Sequence, residues 1–107
     1  MSSLIEIDSN NFENEVLNAD TPVVLDFGAS WCGSCRKLLP VVEEIANSYE
    51  GKVKFGKINI EQAMDVAKKY SVSGLPTLLL FKRGEPVERL AGLMPKSTIT
   101  ANIDKHL

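Results

Sequence analysis

Both cysteines of this chain fall in one short stretch, WCGSC (31–35), between the apolar run VVLDFGA (23–29) and a segment of helical periodicity. The length of the run and its β-branched start predict a central strand buried on both faces. From Cys32 to about Tyr49, Leu38, Val42, Ile45 and Tyr49, joined by Leu39 and Ala46, mark one face of a long helix. The cysteines therefore stand at a strand-to-helix junction. Pro40 lies inside that helix, where it removes a hydrogen bond and predicts a kink.

Flanking patterns extend this unit in both directions. LIEI (4–7) reads as a short strand, and Phe12, Val16 and Leu17 recur at helical spacing after an Asn10…Glu13 capping pattern. Thr21 and Pro22 punctuate the chain before the apolar run. VKFGKINI (53–60) reads as a third strand, and Ala63, Val66, Ala67 and Tyr70 as a helix ending before SVSGLP (71–76). TLLLFKRGEPVERLAGL (77–93) reads as two strands about a Lys82-Arg83-Gly84-Glu85 turn, hence antiparallel. Ile99, Ile103 and Leu107 stripe a final helix opened by Pro95. The fold class is α/β: a mixed five-stranded sheet with four helices on its two faces.

A length of 107 residues, with 44% hydrophobic and 24% charged residues, fits one domain over residues 1–107. Chains of this size bury roughly two-thirds of their unfolded surface, so a core forms without disulfides or metal. A net charge of −2, with charges interspersed, gives no footprint for nucleic acid or an anionic membrane. No apolar stretch approaches the roughly 20 residues that cross a bilayer, and MSSLIEIDSN lacks the features of a secretory signal. The expected compartment is the cytoplasm. Thiols are kept reduced there, which favours a chemical role for the cysteine pair over a static crosslink.

A C-x-x-C beside a βαβ pattern suggests a redox motif. At a helix start, unpaired N–H groups and the positive end of the dipole stabilise a thiolate at Cys32, and thiolate is the nucleophile. Cys35 is expected to point back from inside the first turn and to be the less exposed of the two. Zinc is the rival, but it takes four ligands and the only other strong donor is His106, in a last turn expected to be solvated. Only a site shared between chains completes such a set, so no metal is expected.

Asp26 interrupts the apolar run. Buried, a carboxylate either raises its pKa or finds a partner, and it could then take the proton of Cys35 as a general base. An exposed strand position is the alternative, and composition leaves both open. Lys57, in the neighbouring strand, is a candidate charge partner or a surface lysine.

FGASWCGSCRKLLP resembles the active-site stretch of thioredoxins, and SGLPTLLLFKRGEPVERLAGL resembles their later hairpin, with element order matching from Leu4 to Leu107. The resemblance implies a thioredoxin fold with sheet order 1-3-2-4-5. It implies a protein-disulfide reductase working through a reversible Cys32–Cys35 couple, with no bound cofactor. Position by position, Cys32 matches the nucleophile, Cys35 the resolving cysteine, Asp26 the buried acid and Lys57 its partner. Trp31, with Gly33 and Ser34 between the cysteines, matches the substrate-facing surface. Pro76 matches a cis-proline that leaves the Leu75 backbone free for an extended substrate, and Gly92 a small residue bordering that groove. Protein disulfides are the implied substrates, a thioredoxin reductase the implied electron donor, and a monomer the implied state.

Two positions depart from the family pattern: Ser34 stands where proline is usual, and Gly28 where a bulky aromatic is common. The Ser34 N–H at the helix start can point at the Cys32 thiolate, and whatever stabilises the reduced form makes the pair more oxidising. Two other roles stay open at this level. One is a binding module with incidental thiols; the other is an oxidase or isomerase running the same chemistry in reverse.

Overall fold

The computed structural model describes residues 4–107, and the first strand, β1 (Leu4–Ile7), opens that range. The other strands are β2 (Val23–Gly28), β3 (Lys54–Asn59), β4 (Thr77–Lys82) and β5 (Glu85–Ala91). They form one sheet in the order β1-β3-β2-β4-β5. β3 runs parallel to β1 and β2, whereas β4 is antiparallel to β2 and β5 to β4. This is a thioredoxin fold.

Helices cover both faces. α1 (Gly33–Ser48) and α3 (Lys96–Asp104) pack on one side, where Leu38, Val42, Ile45, Ile99 and Ile103 meet Leu4, Val24, Phe55, Leu78 and Leu80. A π-helical turn (Glu13–Leu17) and α2 (Met64–Lys69) pack on the other, where Phe12, Val16 and Val66 meet Val23, Leu25, Phe27, Leu79 and Phe81. Successive residues of β2 therefore feed opposite cores, as the alternation of side chains in a strand requires. That doubly buried position explains its continuous apolar run.

Local chemistry accounts for the boundaries. The β4–β5 hairpin turns on Arg83 and Gly84, both left-handed (φ 52 and 80), the two-residue turn whose twist matches its strands. Pro86 is tolerated on β5 because this strand lies at the sheet edge. α1 continues through Pro40.

Three local expectations are corrected. The Asn10…Glu13 cap is not made; the Asp8 carboxylate instead accepts from the N–H groups of Asn10 (2.8 Å) and Asn11 (3.0 Å). Asp side chains hold their own following backbone in this way, and Asp8 is nearer to those orphan donors. Leu107 lies beyond α3 and is exposed, so the buried stripe ends at Ile103. His106 is not free in solvent: its ring nitrogen lies 2.8 Å from Glu88 of β5, and both side chains are partly buried.

Candidate functional site

β2 ends at Gly28, and the chain turns through Ala29–Trp31 into Cys32, the residue that caps α1. Cys32 has extended backbone (φ −92, ψ 106), and its Sγ accepts the N–H of Cys35 at 3.2 Å. A sulfur here takes the place of the usual capping oxygen and satisfies one of the free N–H groups of the first turn. Cys32 and Cys35 form a disulfide, with Cα atoms 5.3 Å apart. In the reduced state the same N–H and the helix dipole favour negative charge on Cys32.

The two cysteines are equally buried, 7% exposed for Cys32 and 8% for Cys35, so the expected difference in exposure is absent. Both pack with Ala29, Leu75 and Ile60. The bonded pair spans one helical turn and shares one small apolar cup. Trp31, by contrast, is 67% exposed beside them.

Leu75–Pro76 is a cis peptide, the isomer implied by the family pattern. The N–H of Gly92 donates to the Pro76 carbonyl at 2.8 Å, and the left-handed backbone of Gly92 (φ 90) is one that glycine adopts without strain. Leu75, Pro76 and Gly92 are thus brought together, with Leu75 also reaching the cysteine cup. Gly33 and Ser34 lie exposed in the first turn of α1. The hydrogen bond to Cys32 Sγ comes from Cys35 and not from Ser34, because the capping geometry aims the third N–H of the helix at the cap atom.

Asp26 is 5% exposed, which settles the alternatives left open by composition in favour of burial. Val24 of β2 faces α1, so its period-two neighbours Asp26 and Gly28 do too. The register aligns Asp26 with Lys57 on β3, and Lys57 with Glu6 on β1. Burial pushes the Asp26 carboxyl up to about 7, and the nearby Lys57 charge opposes that rise. Among the described residues its Oδ1 has no hydrogen-bond partner, while the Lys57 ammonium lies 3.9 Å from Glu6.

A second polar group holds the loop before Cys32. The Glu61 carboxylate accepts from the Ser30 N–H (3.0 Å) and hydroxyl (2.8 Å), and these bonds lower its pKa. The Arg36 guanidinium donates to the Ser30 carbonyl at 2.8 Å. Ser30, Arg36 and Glu61 thereby position the turn that presents the cysteines. No local pattern marks them; the one available signal is that parallel β2 and β3 bring their C-terminal ends side by side.

The stretch from Asp26 to Cys35 supplies the buried acid and a cysteine pair whose first member caps a helix, and a separate segment brings the cis Leu75–Pro76 bond to the cysteine cup through Leu75. A family model, thioredoxin, matches residues 3–105. The chain belongs to the thioredoxin family. It is similar to thioredoxin 1 of Nostoc sp., 44% identical over 107 residues and 100% of both chains. The thioredoxin of Synechocystis sp. is 40% identical over the same 107 residues, again 100% of both. The chloroplastic M-type thioredoxin of Zea mays is 39% identical, covering 100% of this chain and 64% of the maize protein. As a thioredoxin with its redox-active cysteine pair in place, the chain is a thiol-disulfide oxidoreductase.

Proposed function

We propose that this thioredoxin reduces disulfides in other proteins, with Cys32 as the attacking sulfur and Cys35 as the resolving one. The observation that carries this assignment is the Cys35 N–H donated to Cys32 Sγ at the start of α1, which singles out Cys32 for the thiolate. The Cys32 thiolate attacks one sulfur of the substrate disulfide, and the other leaves as a thiolate. Cys35 gives its proton to Asp26, attacks Cys32 Sγ and expels the second substrate thiolate. Two electrons pass from the dithiol to the substrate, and Cys32–Cys35 ends as the disulfide.

Asp26 suits the proton step because it lines the same cavity as Cys35 and, at about 7, is partly ionised near neutrality. Lys57 keeps that ionisation within reach by opposing desolvation. The substrate segment lies along Trp31, Gly33, Ser34, Leu75, Pro76 and Gly92, with the Leu75 backbone as its pairing edge. A thioredoxin reductase resets the disulfide, and the dithiol chemistry requires no bound cofactor or metal. The acting unit in this reading is a single domain, residues 1–107, monomeric, with no nucleic-acid or membrane partner. Its compartment is the cytoplasm, where a reducing poise keeps the dithiol in its donor form.

Insulin reduction tests the assignment. Cys32→Ser abolishes turnover, and Cys35→Ser accumulates a mixed disulfide on Cys32 visible by mass spectrometry. Rapid turnover by either variant overturns it.

A further inference from the structure

Beneath the disulfide, on the α1 face of the sheet, lies a cavity of about 460 Å³, within the ~300–1,000 Å³ range of small-molecule sites. Cys35, Asp26, Gly28, Leu39, Arg36 and Lys57 line it, and Cys32 does not. Two features bear on what it admits. Asp26, 5% exposed, borders the cavity as a buried carboxyl whose unpartnered Oδ1 is itself closed to solvent. Gly28 leaves the flank of Cys35 bare, since a Cβ there would sit 3.4 Å from Cys35 Cβ and 3.5 Å from its Sγ. Any larger side chain at position 28 would occupy this approach.

We propose that the cavity admits a low-molecular-weight thiol, or its disulfide, to Cys35 Sγ, giving the redox pair a second approach distinct from the Trp31 surface. The leaving group favours it. A small thiolate attacking Cys35 forms a mixed disulfide there, breaks the Cys32–Cys35 bond and expels Cys32, the sulfur stabilised by the Cys35 N–H. A second small thiol attacks that mixed disulfide, releasing the small-molecule disulfide and the Cys35 thiol. Two thiols are oxidised and one protein disulfide is reduced. Access helps set the rate of such exchange, and Gly28 places no side chain against Cys35. Exposed Arg36 in the lining supplies a cation for an anionic thiol, while Lys57 is partly neutralised by Glu6, which also lines the cavity, at 3.9 Å.

The inference rests on the exchanging Cys32–Cys35 pair but is tested without a protein substrate. Cys32→Ser is incubated with glutathione disulfide, and the adduct on Cys35 is followed by mass spectrometry. Adduct formation is expected, slowed about tenfold or more when Gly28→Trp is added, because access to the attacking sulfur sets the rate. In the Cys35→Ser background, Gly28→Trp is expected to change adduct formation at Cys32 by less than about twofold. Gly28→Val, whose β-branched side chain suits a strand, gives the same comparison should the tryptophan variant fail to fold. No adduct on Cys35, or equal slowing in both backgrounds, overturns the proposal. Failure of the insulin assay with an intact Cys35 adduct would count against the reductase assignment alone.

Discussion

Asp26 and Lys57 are register partners on adjacent parallel strands, yet the Lys57 ammonium lies 3.9 Å from Glu6 while Asp26 Oδ1 has no hydrogen-bond partner among the described residues. The pair is therefore an unequal one. Burial dominates at Asp26, and Lys57 only moderates it.

Stability should reveal that imbalance through pH. Asp26 titrates near 3.8 when unfolded and is raised to about 7 when folded. Between those values the unfolded chain has lost a proton that the folded chain keeps, so this group makes stability fall as pH rises. Below both values the penalty vanishes. Asp26→Asn is therefore expected to gain on the native protein as pH is raised from 4 to 8, by up to on the order of 4 kcal/mol. Urea unfolding across that range measures the gap, and a difference independent of pH refutes the burial account.

Lys57→Met removes the charge that opposes desolvation, so the Asp26 carboxyl should titrate at higher pH than in the native protein. Carboxyl-carbon NMR reads this shift directly. A downward or null shift would show that Lys57 does not act on Asp26.

Ser34 occupies the first turn of α1 and keeps a backbone N–H that proline would lack. That N–H makes no hydrogen bond to Cys32 Sγ, but it is one of the free donors at the helix start whose positive field favours a thiolate there. Ser34→Pro should make the pair more reducing by on the order of 30 mV, equivalent to about 1.4 kcal/mol. Equilibration with a glutathione buffer decides the matter; an equally or more oxidising proline variant contradicts it.

Gly56 sits in β3 between β1 and β2, where a Cβ would lie 2.8 Å from Ile7 Cγ1 and 3.3 Å from the Ile5 carbonyl. Strand backbone cannot retreat as a flexible side chain can. Gly56→Ala should destabilise the fold by about 1–3 kcal/mol, the usual cost of overpacking. An urea midpoint unchanged from the native protein would show that β1 yields without cost.

Much of this architecture was legible because its signals are local. The hydrophobic periods placed every strand and helix, and Arg83-Gly84 marked the hairpin through backbone preferences that no distant contact has to supply. The capping pattern at Asn10 misled because Asp8, a few residues earlier, competes for the same donors. Pairings that cross the fold left no trace in the chain: Ser30 with Glu61, 31 residues apart, and Glu88 with His106, 18 apart. Neither involves an apolar period, so neither could be read in advance.

By itself the sequence determined that two thiols stand at a strand-to-helix junction, that one carboxylate breaks an apolar strand, and that helices separate the first four strands before a closing hairpin. Those facts follow from side-chain period and backbone propensity within a few residues. Tertiary structure alone decided that both cysteines are equally buried, that Lys57 is divided between Asp26 and Glu6, and that Gly28 lies against Cys35. Each depends on which strands become neighbours and in what register, and so on contacts between residues far apart in the chain.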